Sequence, residues 1–335
     1  MSEKPSELLQ KSNLQADIPH VQLSVVIPIY NEAPNLVELC DDVVKSLDAH
    51  GIDFELILVD DGSVDDSFAI IEKIAHADSR LKVIRFRRNF GQTAAMAAGF
   101  DAASGEIIVP MDGDLQNNAQ DIPRLIEKIN QGFDVVSGWR KSRKDTFVTR
   151  KLPSILANRL ISRMTQVPLH DYGCTLKAYR KEVLDRVRLY GELHRFVPAL
   201  AFQAGARVTE ITVDHRPRTA GVSKYGIDRT LRVVLDLITV KFLLKYSTRP
   251  LQLFGKWAFA SFVASLLAFL TTLFMKYAEG LSMNRNPLLI LSAFLFFSGV
   301  QFIALGLLGE LVTRTYHEVQ DKQIYAIRDT INLDP

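Results

Sequence analysis

The chain has 335 residues, with 40 Lys plus Arg against 38 Asp plus Glu and a formal net charge of +2. This near-balance excludes a strongly basic nucleic-acid binder on overall charge, although local basic stripes remain open. The two cysteines, Cys40 and Cys174, supply neither a disulfide framework nor a zinc spacing and fit a reducing compartment.

Residues 1–20 are polar and charged, lack the apolar core of a signal peptide, and read as a mobile N-terminal tail. From there to residue 215 short β-branched runs alternate with helical patterns. Strands are predicted at 23–30 (LSVVIPIY), 54–60 (FELILVD), 81–86 (LKVIRF), 106–111 (EIIVPM) and 133–138 (FDVVSG). Helices are predicted between them at 34–50, 65–77, 91–103 and 121–131. In the first, Leu36, Leu39, Val43 and Leu47 fall on one face. Such alternation predicts an α/β domain with a mostly parallel sheet and helices on both faces, which binds its ligand beyond the carboxyl ends of the strands.

The polar residues gather at those ends. The first strand runs into Pro28-Ile29-Tyr30-Asn31-Glu32, the second into Asp60-Asp61-Gly62-Ser63, the fourth into Asp112-Gly113-Asp114. Each segment alone would serve as a helix cap or a turn. Three acidic ends on one edge point to a single site. No GxGxxG or GxxxxGK[ST] follows any strand, so phosphate is not held by those loops. A divalent cation on Asp112 and Asp114 would hold it instead, because Mg²⁺ or Mn²⁺ favours oxygen ligands and takes one or two protein carboxylates. Gly113 lets backbone approach closely.

Cations follow. Residues 140–163 carry Arg140, Lys141, Arg143, Lys144, Arg150, Lys151, Arg159 and Arg163 against one acid, Asp145. A second group, Arg216, Arg218 and Lys224, surrounds Gly221. Guanidinium forks suit phosphate; anionic headgroups or solvent would also accept such charges. Arg140 and Arg150 are assigned to an acceptor phosphate, and Arg216, Arg218 and Lys224 to a mobile loop over a donor diphosphate.

Residues 226–246 are amphipathic and read either as an interfacial helix or as a core helix. Two uncharged runs follow, nineteen residues at 257–275 and twenty-three at 287–309, each long enough to cross ~30 Å of hydrocarbon. Lys241, Lys245, Arg249 and Lys256 precede them and Arg314, Lys322 and Arg328 follow, against Lys276 and Arg285 at the connection. This excess places both flanks, and both termini, in the cytoplasm. The expected organisation is a tail at 1–20, the α/β domain at 21–225, an amphipathic region at 226–250, the two spans within 251–312 and a cytosolic tail at 313–335.

The segments IPIYNE (27–32), LVDDGSVDDS (58–67), RNFGQTAAMAAG (88–99), MDGDLQ (111–116), VVSGWR (135–140), DYGCTLKAYR (171–180) and HRPRTAGVSKYG (215–226) together resemble family 2 inverting glycosyltransferases of the GT-A fold. With two C-terminal spans they are most similar to the polyprenyl-phosphate glycosyltransferases, the group of dolichyl-phosphate mannose synthase and bactoprenol glucosyltransferase. The resemblance covers about residues 22–320. It implies that Pro28, Tyr30 and Glu32 flank the nucleotide base, that Asp60 and Asp61 lie near base and ribose, and that Asp112 and Asp114 hold metal and diphosphate. It also implies that Gln116 lies by the donor sugar or phosphates and that Asp171 is a catalytic carboxylate near the reacting sugar. His170 reads as structural. UDP-glucose is the expected donor, with GDP-mannose and UDP-aminoarabinose derivatives open, and polyprenyl (undecaprenyl) phosphate the expected acceptor. A lipid phosphate, with its second pKa near ~6, is largely deprotonated at cytosolic pH and needs no strong general base.

A polymerising synthase of the same fold is disfavoured by the absence of QxxRW and by the small number of spans. A non-catalytic scaffold is disfavoured by the intact DxD and DDGS segments. The sequence leaves the oligomeric state open, a homo-oligomer included.

Overall fold

The computed structural model describes residues 21–141, 158–159, 161–163, 165–187, 189, 193–216, 250–283, 286–319 and 324–333. The expected N-terminal tail and the amphipathic segment at 226–249 lie outside these residues, as do Arg150, Arg218 and Lys224. The chain divides into two compact units: residues 1–229 with 323–335, and residues 230–322.

In the first unit the elements follow the predicted order: β1 (Leu23–Ile29), α1 (Leu36–Ala49), β2 (Phe54–Asp60), α2 (Ser67–Ala77), β3 (Leu81–Phe86), α3 (Gln92–Ala102), β4 (Ile107–Pro110), α4 (Ile122–Asn130) and β5 (Val135–Trp139). Strands β1 and β2 are apolar over nearly their whole length because the sheet is covered on both faces; of their side chains all but Pro28 are fully buried. Helix α1 turns Leu36, Leu39, Val43 and Leu47 into this core, the face its spacing predicted. Each such side chain contributes about 1.5–3 kcal/mol by leaving water. Helix α3 is built from small residues because it lies hard against β1. A Cβ on Gly99 would stand 2.2 Å from Cγ1 of Val26.

After β5 come β6 (Lys177–Arg180), α5 (Lys181–Leu184), α6 (Val197–Gln203) and β7 (Val208–Thr212). The eight-stranded sheet has the order β7-β5-β6-β4-β1-β2-β3-β8. Strand β5 does not pair with β4, as simple alternation would have it. Strand β6 inserts between them, antiparallel to both, so β4 and β5 point the same way. The sequence reading missed β6, β7 and the last strand, β8 (Ile327–Ile331). Residues 327–331, expected within a C-terminal tail, instead pair antiparallel with β3 and close that edge of the sheet. Tyr325 secures the entry to β8 by stacking on Phe86, with ring centroids 5.3 Å apart, and donates to Asp101 at 2.8 Å. Asn332 secures the exit, donating to the carbonyls of Ala75 and Leu81 at 2.7 and 2.8 Å.

The second unit holds α7 (Pro250–Glu279) and α8 (Pro287–Val319). Thirty residues of α7 span about 45 Å, more than the ~30 Å of a hydrocarbon core. The helices pack on each other where Gly299 admits the ring of Phe262 and where Ser265 donates to the carbonyl of Ser292 at 2.7 Å. Around this seam the apolar side chains face outward: Phe259, Phe274 and Phe297 are 71%, 66% and 69% exposed. Core helices would bury those rings. The two helices are long and apolar enough to cross a membrane and form a hairpin.

Gly99→Ala tests the α3–β1 approach. The added methyl has no space to enter, so the variant is expected to lose about 1–3 kcal/mol of stability, read as a lowered midpoint in thermal unfolding of the purified full chain.

Candidate active site

The carboxyl edge of the sheet collects chemistry from five strands. β1, β2, β4 and β5 all end there, and β6, running the other way, begins there. The residues that end β1 and β2 and those that bracket β6 are thereby brought beside the Asp112–Asp114 turn.

At the end of β1, Asn31 adopts the left-handed region with φ of 57°. Its side-chain oxygen accepts from the N–H of Val64 at 2.9 Å, and its own N–H donates to Ser63 Oγ at 3.0 Å. The N–H of Glu32 donates to Ser67 Oγ at 3.0 Å, and its carboxylate accepts from Asn35 at 2.7 Å. The IPIYNE and DDGS segments are therefore one tied unit, with Tyr30 exposed on it. Gly113 is needed for a close approach: a Cβ there would lie 3.3 Å from the carbonyl oxygen of Pro28.

The two aspartates that end β2 have different tasks. Asp60 is fully buried; its Oδ1 accepts from the N–H of Ser63 at 3.0 Å, while no hydrogen-bond donor reaches Oδ2 among the described residues. Asp61 accepts from the N–H groups of Phe90 and Gly91 at 2.6 and 2.9 Å. Both of its oxygens are thus committed to the loop that opens α3, where the sequence reading put them near base and ribose. Burial raises the Asp61 pKa, with the two backbone hydrogen bonds opposing. The loop in turn places Gln92, whose amide donates to Asp112 at 3.0 Å.

Asp112 and Asp114 are both half-buried, and Asp114 accepts from the N–H of Gln116 at 3.2 Å. Burial raises the Asp112 pKa and the neighbouring Asp114 charge raises it further, against a hydrogen bond from Thr175 and the charges of Arg140 and Lys177. A like-charged pair in a half-buried turn is the donor set that a hard divalent cation fits. Among the described residues no cluster of three or more His, Cys, Asp or Glu side chains offers a closed metal cage, so phosphate and water oxygens would complete the shell.

Arg140 and Asp171 meet as a part-buried bidentate pair: Nε to Oδ2 at 2.8 Å and Nη2 to Oδ1 at 3.1 Å. The N–H of Gly173 adds a further donor to Asp171 at 3.1 Å. Neither side chain was expected to partner the other. Beneath them lies Lys177, 3% exposed, whose ammonium donates to the carbonyls of Cys174 and Tyr172. Burial pushes the Lys177 pKa down, against the pull of the Asp171 and Asp112 charges. The sequence reading missed Lys177 and Gln92; the one available signal was a lone cation inside the apolar run CTLKAY. Cys174 is buried with its thiol pushed up to about 11, and Cys40 to about 12, so both stay protonated at neutral pH.

His170, read as structural, stacks on Trp139 with centroids 4.3 Å apart, and both its ring and its N–H donate to Glu210. This clamp fixes the residue before Asp171 against the ends of β5 and β7. Arg216 was expected over a diphosphate. Its guanidinium instead pairs with Asp42 of α1 at 2.7 Å, and its N–H donates to the carbonyl of Gln116 at 3.0 Å. It braces the half-buried Gln116 and the DxD turn from behind.

The family model for "Glycosyl transferase family 2" matches residues 24–188. A dodecaprenyl-phosphate galacturonate synthase of Rhizobium johnstonii is 41% identical over 315 residues, covering 93% of each chain. An undecaprenyl-phosphate 4-deoxy-4-formamido-L-arabinose transferase of Klebsiella pneumoniae is 38% identical over 317 residues, covering 93% of this chain and 94% of its own. Among solved structures, glucosyl-3-phosphoglycerate synthase from Mycobacterium tuberculosis, in complex with Mn²⁺, UDP and phosphoglyceric acid, superposes with a TM-score of 0.52. That match has 18% identity and covers 67% of this chain and 78% of the other. It supports the GT-A fold.

Asp61→Asn would set an amide NH₂ against one of the two N–H groups that the carboxylate now accepts. Exchange of the Phe90 and Gly91 amides is expected to accelerate about tenfold, since a lost hydrogen bond of this kind is worth about 1.4 kcal/mol. Hydrogen exchange with mass spectrometry on peptides spanning residues 86–96 reads it.

Proposed function

Since this chain belongs to glycosyl transferase family 2 and is a glycosyltransferase, we propose that it moves a sugar from a nucleoside diphosphate to the phosphate of a polyprenyl lipid. The observation that carries this reading is the pairing of Asp171 with Arg140 beside the DxD turn. Both oxygens of this carboxylate are engaged by the guanidinium, which suits an acceptor that arrives already ionised and not a sugar hydroxyl that must lose a proton. The relatives act on dodecaprenyl and undecaprenyl phosphates, and two membrane-length helices would bring the domain to such lipids.

In this reading the nucleotide lies along the ends of β1 and β2, by Pro28, Tyr30, Glu32 and Asp60. Asp112 and Asp114 would hold Mg²⁺ or Mn²⁺, which when bound would supply positive charge for a departing diphosphate. Arg140, fixed by Asp171, meets the acceptor phosphate; the buried Lys177 adds a further positive charge beneath them, as approaching anions require. Arg150, Arg218 and Lys224 are kept as candidate phosphate contacts. An acceptor phosphate oxygen attacks the anomeric carbon, the bond from that carbon to the diphosphate breaks, and the nucleoside diphosphate leaves with the electron pair. Attack opposite the leaving group inverts the anomeric centre.

UDP-glucose, the donor expected from the sequence, is not favoured by the relatives, which transfer galacturonate and a formamido-arabinose. A UDP-uronic acid, UDP-galacturonate first, becomes the preferred donor, with a UDP-4-amino-4-deoxypentose derivative second.

The reading that the chain returns to the same side of the membrane after the second span draws support from β8. The chain leaves the sheet before α7 and re-enters it after α8, so the number of membrane crossings between is even.

The test is transfer of label from UDP-galacturonate, the formamido-arabinose donor, UDP-glucose and GDP-mannose to undecaprenyl phosphate, with Mn²⁺ or Mg²⁺. Product is expected from UDP-galacturonate, with at least a ~100-fold lower rate in Asp114→Asn, the scale on which loss of transition-state charge stabilisation acts. Product from the formamido-arabinose donor alone would move the assignment to the second sugar. Absence of lipid product from every donor would overturn the acceptor.

A further inference from the structure

Three charges, Asp60, Arg85 and Asp329, stand in one row across β2, β3 and β8, and the reading above uses only the first. Asp60 is fully buried, and no hydrogen-bond donor reaches its Oδ2 among the described residues. An acceptor in that state is costly unless something else satisfies it. The charge facing it is Arg85, its register partner on β3, whose Nε stands 3.8 Å from that oxygen. This is close enough to attract and too far to hydrogen-bond.

Two groups hold Arg85 at that distance. Its guanidinium lies over the ring of Phe68, 3.9 Å from the centroid. Nη1 lies 3.6 Å from Oδ2 of Asp329, which stands directly opposite Arg85 on β8. Strand β8 is itself tied down at both ends by Tyr325 and Asn332.

We propose that Asp329 is a positioning residue for donor binding: it draws Arg85 away from Asp60, so that the buried Asp60 Oδ2 keeps an unpaired acceptor for an N–H or O–H of a nucleoside diphosphate. Without Asp329 the guanidinium swings onto Asp60 and competes with the nucleotide. The strand that follows the second long helix thereby becomes part of the donor site. The inference rests on the reading that the ends of β1 and β2 hold the nucleotide.

The experiment is calorimetric titration of the full chain, in detergent with Mn²⁺, by UDP, GDP and ADP, carrying forward whichever binds most tightly. Asp329→Asn is expected to raise the dissociation constant about two- to fivefold, the scale of a half-exposed ion pair, and Asp329→Glu to restore it. In an Arg85→Met background Asp329→Asn should have no further effect, because the competing cation is gone. Tyr325→Phe, which loosens the same strand without touching Arg85, should bind as the parent does. A loss in Tyr325→Phe equal to that in Asp329→Asn would show a merely structural strand and overturn the proposal. Unchanged binding in Asp329→Asn beside weakened binding in Asp60→Asn would overturn it too, leaving the nucleotide site standing. Full affinity in Asp60→Asn, or no binding of any nucleotide by the parent chain, would overturn the site and the proposal together.

Discussion

Five carboxylates on one edge of a sheet repel each other, and most of the site's construction answers that repulsion. Asp60, Asp61, Asp112, Asp114 and Asp171 all lie at the carboxyl ends of strands or in the loop leading to β6. Each is compensated differently. Asp61 takes two backbone N–H groups, Asp171 takes a guanidinium fork, and Asp60 takes one N–H with a cation held at a distance. In the Asp112–Asp114 turn both carboxylates are half-buried, and burial and then the Asp114 charge push the Asp112 pKa up. Negative charge is left there in the form that a divalent cation and an anionic substrate would use.

The insertion of β6 makes this arrangement possible. A simple parallel continuation would set β5 beside β4 and bring one more strand end to the edge. The antiparallel β6 instead brings a strand beginning, and with it the segment 171–177. That segment supplies Asp171, Thr175 and Lys177, while the end of β5 supplies Arg140. Lys177 is held through backbone carbonyls, so its charge sits beneath the site without occupying it. The loop anchored by Asp61 acts from the other side and sets Gln92 on Asp112. A carboxylate assigned to the nucleotide from sequence therefore shapes the DxD turn from a distance.

What the sequence revealed follows from the range of the interactions involved. β1 through β4, with their helices, were readable because burial on both faces writes continuous apolar runs, and Asp, Gly and Asn at the strand ends have local meanings. β6, β7 and β8 are four or five residues long, and β8 is largely exposed, so no periodicity marks them. IRDTI looks like a polar tail until β3 stands beside it. The DxD turn was legible for the same local reason that β4 was. The Arg140–Asp171 pair was not, because it joins residues 31 apart in sequence and neither residue's local pattern names the other. The tie of Arg216 to Asp42 spans 174 residues and is equally silent in a linear reading. The relatives do not favour the donor expected from the sequence, because the quoted motifs were read chiefly for nucleotide and phosphate, which many donors share.

The pairing of Asp171 with Arg140 bears on the kind of acceptor more than on the kind of sugar. A general base must offer an oxygen to the proton it takes, and both oxygens of Asp171 are engaged, by two guanidinium nitrogens and a backbone N–H. The same grip gives Arg140 a single orientation, which a phosphate needs more than it needs a base. An acceptor that ionises by itself shifts the enzyme's task from proton removal to the gathering of two anions. The two cations, the DxD turn and the anchored loops are consistent parts of that one task.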